Sequence, residues 1–406
     1  MDDDSMRDGS IGSRLRVARI ERGLTQETLA GRAGVSLELI GKLEREKRET
    51  ARISTLTLLA NALGVPLSAL LGRRERLESR TSAGVLAVRD ALLSPADLPG
   101  IDLAADAGEP TPLAGLEFAV RRCWDLYWDG ELAGLAAMLP GLIGEARLTR
   151  DQAGAPAARP LAQAYQLTAD LMVHTGNDDL AMIAAERALA AAAAGNDELQ
   201  HATLCGTASW VLLHQGRTAE AEKVAASAAQ RIEPRISSAS PEHLTVWGSL
   251  LLSAVAPAAT ASRADDVDTY IGLARSAAGP MEHDRHDYWT SFGPTQVAMQ
   301  ATYANAALGR PGRALQEARQ VRRGDLLPIS WGAHHLDKAQ ALAADNHEKG
   351  NRQAVLALKT AYDVSPQWFR HQGLARSLTR ELTCRKTRAG EPLGTLMAAL
   401  AAPGDR

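Results

Sequence analysis

The chain has 406 residues, with 45 Lys/Arg against 48 Asp/Glu and a formal charge of −3, so no bulk attraction to nucleic acid or to an acidic membrane surface is expected. It holds 75 alanines against 16 aromatics, and every aromatic lies at or beyond Phe118. Alanine suits helices, whereas sheets favour aromatic and β-branched residues, which excludes a β-sandwich, a barrel or a large α/β sheet. Because one core rarely grows past about 250–300 residues, the expectation is an all-α chain with a small N-terminal domain and a long helical body. Three widely spaced cysteines, Cys123, Cys205 and Cys384, fit a reducing, cytoplasmic setting without a disulfide framework. Acidic residues follow Met1 directly, so no secretory leader is expected. The uncharged stretch from Leu244 to Ser262 reads as a buried helix or helix pair, not a membrane span.

In chain order, residues 1–10 read as a disordered N-terminus. Residues 1–80 carry 15 Lys/Arg against 12 Asp/Glu, so what basic excess exists is at this end. Five short helical patterns then fill residues 11–72. The first runs from Ile11 to Arg22 and stops at Gly23. Thr25 starts the second as an N-cap, with Thr28 where a capping box would place Glu or Gln. Ala33-Gly34-Val35-Ser36 joins it to a third helix, capped by Ser36 and reaching about Glu46. A fourth spans Ile53 to Leu63, and Pro66 opens a fifth that stops at Gly72. Gly34 permits a sharp turn, Ala30 permits a close crossing, and Val35, Ile40 and Leu43 give the third helix a buried stripe.

These residues resemble the XRE-type, lambda-repressor-like DNA-binding domains. The match runs Leu24-Thr25-Gln26-Glu27-x-Leu29-Ala30-x-x-Ala33-Gly34-Val35-Ser36-x-x-x-Ile40-x-x-Leu43-Glu44, then Leu56, Leu59-Ala60 and Ala62-Leu63-Gly64-Val65. Glu46 stands where the family usually has glycine, and Thr50 or Ala51 where it has proline. The resemblance implies a double-stranded DNA operator as partner, with the third helix in the major groove. The base readers would be Leu37, Glu38 and Lys42, with Leu39 at the edge. Gln26 and Ser36 would bond phosphate, and Arg45, Lys47, Arg48 and Arg52 would form a basic cluster along the backbone. Glu44 reads instead as a structural residue, paired within the domain.

Residues 73–112 read as a linker with a short helix from Val85 to Leu93, broken by Pro95, Pro99, Pro110 and Pro112. Beyond it, Gly176, Gly216 and Gly309 each lie between two helical patterns and are followed five residues later by Ala181, Ala221 and Ala314. Ala188 and Ala228 follow seven residues further on. A degenerate copy fits around Ser262 and Ala274, and Ala354, Ala361 and Pro366 keep the offsets without a glycine in register. The pattern over about residues 113–388 resembles a tetratricopeptide (TPR) repeat stretched to 40–46 residues, an α-solenoid whose first helices line a concave groove. Residues 389–406 read as a C-terminal tail.

Offsets from the glycines place Gln163, Gln166, Asp170 and His174 on the groove face of one copy, and Thr203, Trp210 and His214 on the next. Gln296, Met299 and Tyr303 follow in the Gly309 copy, and His347 occupies a similar place later. Such a wall suits a peptide or small-molecule signal, with aromatics as anchors and Gln and His fixing orientation. The segment Arg285–Gln296, with Tyr288, Trp289 and Phe292, reads as a helix start packed against that groove or as a core plug. His283, His286 and Asp287 lack the spacing of a metal site, and no catalytic motif or cofactor loop appears, so neither an enzyme nor a cofactor is expected. The whole is similar to XRE–TPR regulators, including the peptide-sensing (RRNPP-type) quorum receptors of Gram-positive bacteria. That implies a ligand-responsive transcriptional regulator acting as a homodimer, with no membrane partner. The alternative is an interaction adaptor that uses the groove and no longer reads an operator.

Overall fold

The computed structural model describes residues 10–47, 51, 53–65, 69–70, 82–95, 109–385 and 390–401. The protein is all-α apart from one two-stranded hairpin among these residues. The N-terminal head contains α1 (Ile11–Glu21), α2 (Gln26–Ala33), α3 (Leu37–Glu44) and α4 (Ile53–Leu63). Of the expected fifth helix, Ala69 and Leu70 are helical and the remainder lies outside the described residues. Leu15, Leu29, Ile40, Leu43, Leu56 and Leu59 close the head's core.

Next comes α5 (Ser82–Leu92), the helix expected within a linker. It is instead packed into the body, with Val88 and Leu92 buried against α7 and α8, defined below, and with Arg147 and Arg187 donating to the carbonyls of Ala91 and Leu92. Six antiparallel pairs then follow. They are α6 (Leu113–Asp129) with α7 (Leu132–Ala153), α8 (Ala158–Thr175) with α9 (Asp178–Ala193), and α10 (Glu198–His214) with α11 (Thr218–Arg231). The others are α12 (Pro241–Thr260) with α13 (Ala264–Ala278), α14 (Pro294–Ala307) with α15 (Pro311–Ala318), and α16 (Pro328–Ala344) with α17 (Glu348–Val364). The chain ends in α18 (Pro366–Arg370), α19 (Gly373–Cys384) and α20 (Gly390–Ala401).

The turns within all six pairs share one device, which Gly130, with φ of 76°, supplies in the first. In the other five, Gly176, Gly216, Ser262, Gly309 and Asn346 likewise have positive φ. The degenerate copy at Ser262 is therefore a full helix pair, and Asn346 makes the turn where no glycine stood in register. The alanines that set the sequence period, Ala181, Ala188, Ala221, Ala228, Ala274, Ala314, Ala354 and Ala361, are all buried between helices. Helices α8, α10, α12, α14 and α16 pack on one another in succession, while their outer partners hardly meet. The stack therefore curves, with the first helix of each pair inside. It curves far enough for the two ends to touch: Ser365 Oγ donates to the Gly130 carbonyl at 3.1 Å, and the Ala133 amide donates to Gln367 Oε1 at 3.0 Å.

Three segments differ from the sequence expectation. Arg285–Gln296 is not a helix start but a hairpin, β1 (Arg285–Asp287) paired antiparallel with β2 (Thr290–Phe292), and α14 begins only at Pro294. Its two turn residues, Tyr288 and Trp289, have φ of 53° and 61°, the backbone twist that a two-residue hairpin loop demands. Residues 390–401, expected as tail, form α20 with Leu396 fully buried. Gly390 and Pro392 lie in its first turn, where proline's missing N–H leaves no hydrogen bond unmade. His347 does not face a groove but caps α17, its Nδ1 accepting from the Gly350 amide at 2.8 Å. The uncharged stretch, by contrast, agrees with the expectation of a buried helix: it lies in the single helix α12, which alone among the described residues is long and apolar enough to cross a membrane, and it runs through the body's core.

Head and hairpin sit at opposite ends of the inner helices. At the C-terminal ends, Asn61 Nδ2 of α4 donates to the carbonyl of Ala307 at 3.1 Å, and Gln340 Nε2 donates to Thr57 Oγ1 at 3.3 Å. Thr218 Oγ1, just past α10, donates to the Gly64 carbonyl at 3.4 Å. At the N-terminal ends, Thr245 Oγ1 donates to Asp287 Oδ2 at 3.0 Å, and Arg159 lies 4.9 Å over the Tyr288 ring. The hairpin is locked down by Phe292, which is fully buried on Gly248 of α12, where a Cβ would stand 2.0 Å from the ring. Gly→Ala inside a helix normally stabilises by roughly 0.5–1 kcal/mol. Gly248→Ala should do the reverse, costing about 1–3 kcal/mol by overpacking. Gly206→Ala, whose added Cβ meets only ordinary contacts at 3.5 Å, is the control; a thermal melt should show Tm falling for the first alone.

Candidate nucleic-acid interface

The two helices at the centre of the head are built by local capping. Thr25 Oγ1 accepts from the Thr28 amide at 3.0 Å to start α2, and Gly34, with φ of 63°, ends it in the left-handed region. Ser36 Oγ accepts from the Leu39 amide at 3.3 Å to start α3. Ile40 and Leu43 turn inward with no exposed surface, which forces Leu37, Glu38 and Lys42 outward. Leu37 is 43% exposed, a large apolar side chain held in water at the first position of α3. Leu39 is half-buried at the edge of this face, and Ser36, Arg45 and Lys47 are exposed beside it. Arg48 and Arg52 lie outside the described residues.

Charge on this face is arranged in two layers. Glu38 and Lys42 pair across one turn at 2.7 Å in the open, and the hydrogen bond and charge of Lys42 lower the Glu38 pKa. Arg45 folds back, its Nε donating to the Gly41 carbonyl at 2.8 Å. Beneath lies Glu44, which the sequence marked as structural. Arg19 grips it with two hydrogen bonds, Nε to Oε1 at 2.6 Å and Nη2 to Oε2 at 2.8 Å. Gln26 Nε2 adds a third at 2.7 Å. Gln26, expected on phosphate, is thus tied to Glu44, and the same network joins α1, α2 and α3. Arg16, a residue the sequence reading passed over, is exposed and close enough to bear on Glu44. Also missed were Thr57 and Asn61 on α4; their signal was two polar residues four apart, interrupting the apolar run from Leu56 to Leu63.

The residues expected to line one groove are divided by the structure. Gln163, Gln166, Asp170 and His174 are all buried on α8. Gln166 Nε2 donates to Thr207 Oγ1 at 3.2 Å, and the Tyr127 hydroxyl lies 3.3 Å from His174 Nε2. The His174 ring meets Trp210 at 5.4 Å, and His214 meets Trp210 at 4.9 Å while its Nδ1 donates to the Trp210 carbonyl. Burial pushes the Asp170 carboxyl up to about 8. Further round, Gln296 is buried, and burial, helped by the charge of Asp337, pushes Tyr303 up to about 12. Tyr288 and Trp289 belong to the hairpin at the other end of these helices. His283, His286 and Asp287 take separate partners: Asp325, Ser291, and Arg285 with Thr245.

Residues 15–70 match the helix-turn-helix family model, which defines the head as a helix-turn-helix domain. Over 63 residues the chain is 40% identical to the immunity repressor protein of Bacillus phage phi105. That stretch is 16% of this chain and 43% of the repressor, so the chain spans less than half of that relative's length. No solved structure matches the chain.

Burial by itself would raise the Glu44 pKa, but the hydrogen bonds of Arg19 and Gln26 and the charges of Arg19 and Arg16 outweigh it and hold the carboxyl below its ordinary value. A carboxylate depressed in the folded state lends stability above its unfolded pKa and loses it as pH falls through the folded one. Head stability, followed by urea unfolding, should therefore fall as pH drops below the ordinary carboxylate range. In Glu44→Gln it should start lower and lose most of this pH dependence.

Proposed function

We propose that the protein is an operator-binding transcriptional regulator whose TPR-like body receives a peptide or small-molecule signal and supports a homodimer. One observation carries the reading: the outward face of α3 stays open while the opposite side of the head, α4, is engaged by the body. In that posture α3 approaches the major groove without first leaving the body. Its N-terminal half would read bases, with Lys42 donating to guanine, Glu38 accepting from a cytosine amino group and Leu37 against a thymine methyl. The Glu38–Lys42 pair would open on binding, exchanging one exposed ion pair, worth little in water, for base contacts. The N-terminus of α3 at Ser36 suits a phosphate, and Arg45 and Lys47, joined by Arg48 and Arg52, would follow the backbone.

A single head buries little surface on DNA, so a pair of heads on a two-fold site is the arrangement that yields useful affinity. The signal would act by population shift, favouring one of two head postures on the body. The phage repressor supports the DNA-binding half of the reading by its name and by its identity over the head.

The test is salt-dependent binding to duplex DNA. The parent's log K should fall linearly with log salt, and Lys47→Ala should flatten that slope by about 0.9, the loss of one phosphate contact. Lys42→Ala should weaken binding and relax base preference by about 1–3 kcal/mol at one position. No parent binding at low salt, or equal binding by both variants, would leave an adaptor that does not read DNA.

A further inference from the structure

A cleft of about 350 Å³ opens where the two ends of the curved body meet, walled by α6, the hairpin and the start of α16. Trp128 and Trp289 line it together with Arg122, Asp125, Asp129 and His286. Trp124 lies behind them, nearly parallel to Trp289 at 5.3 Å and to Trp128 at 6.0 Å. Such a volume suits a small molecule or one peptide side chain.

Three features of the cleft work against stability. Asp125 and Asp129 stand four residues apart on one helix, a spacing at which like charges repel. They fall in the last turns of α6, where a negative charge also opposes the helix dipole. Among the described residues no ion pair or hydrogen bond engages Asp125, Asp129 or Arg122. Finally, Trp289 is aimed here by a turn that places Tyr and Trp at positive φ, where Asn-Gly is the unstrained choice; strain of that kind gathers at functional sites. The turn is held by Arg159 over Tyr288 and by Trp124 under Trp289.

Aromatic faces beside unneutralised carboxylates form the pattern that captures a cation from water. His286 is engaged by Ser291 and its pKa is lowered by burial, so it adds no charge near neutrality. Arg122 offsets one carboxylate and leaves the cleft one negative charge in excess. We infer that this cleft binds an organic cation: a primary ammonium or guanidinium on a short hydrocarbon stem, as in a diamine or the end of a Lys or Arg side chain. The stem packs between Trp128 and Trp289, and the charge meets Asp125 and Asp129.

The site rests on the reading of the body as signal receiver, and it has a direct mechanical route to the head. Helix α14 starts three residues after Ser291 and ends at Ala307, whose carbonyl holds Asn61. Helix α16 starts at Pro328, in the cleft wall, and carries Gln340, which holds Thr57. A ligand that draws hairpin and α16 toward α6 moves both anchors of α4.

The experiment uses the full chain and tryptophan fluorescence titrated with putrescine or agmatine, with 1,4-butanediol as the uncharged counterpart. Saturable change with a cation and none with the diol is expected, with affinity reduced at least tenfold in Asp125→Asn/Asp129→Asn. The pair Asp179→Asn/Glu186→Gln, exposed carboxylates on the outer face, should titrate like the parent. No saturable response to either cation, an equal response to the diol, or undiminished affinity in the first double variant overturns the site. Hydrogen exchange of the Thr57–Asn61 segment with saturating agmatine reports separately on signalling. Changed protection supports the coupling, and unchanged protection with intact binding keeps the cleft and overturns the signal-receiving role.

Discussion

Close approach of helices through alanine is the constraint on which the body depends. With methyl groups at Ala181, Ala188, Ala221 and Ala228 between partners, paired helices come together at short range, and inner helices converge while outer ones splay. Curvature accumulates from pair to pair until the first pair reaches the last. Gly130 and Ser365, 235 positions apart in the chain, then share a hydrogen bond. That closure creates the seam cleft, brings the hairpin onto α6, and gathers the ends of α14 and α16 under the head. A larger side chain at a few alanine positions would open the curl and undo all three at once.

Much of this could be read from the residues, and the rest could not for identifiable reasons. Capping and turn chemistry are local, so Thr25, Gly34 and Ser36 mark the head's helices and their ends correctly. Glu44 was legible as structural because acidic residues on a buried stripe need a partner, although nothing in the sequence said that Gln26 would share it. The alanine period placed the pairs, and Ser262 filled a glycine's place where the spacing required one. The hairpin escaped because three-residue strands carry too little alternation to stand out, and because Tyr-Trp is not a turn dipeptide that propensity would choose. The groove was misassembled for a different reason. Offsets along helices identify which residues face inward, but not which of them superhelical curvature brings together.

The tryptophans show the same limit. From Trp210 onward they recur every 37–42 residues along the chain, a spacing that by itself points to one ring pinning each pair. Trp247 and Trp368 are indeed buried within the body, but Trp289 of the hairpin joins Trp124 and Trp128 of α6 in one stack at the seam. A regular spacing along the chain becomes a cluster in space once the chain has curved round on itself.

Anchoring of the head by three side-chain hydrogen bonds, two of them on α4, would have a consequence for the geometry of an operator. A head tethered only by a flexible linker adapts to half-sites at many separations, because the linker absorbs differences in distance and in rotation about the DNA axis. A head seated on a rigid body cannot swivel in this way. In a dimer of such units the two copies of α3 would point in fixed directions, so the operator would have to present its half-sites a set number of base pairs apart and on one face of the duplex. Specificity would then reside in helical phase as well as in base sequence. A half-turn insertion between half-sites would rotate one of them out of reach without changing a single contacted base.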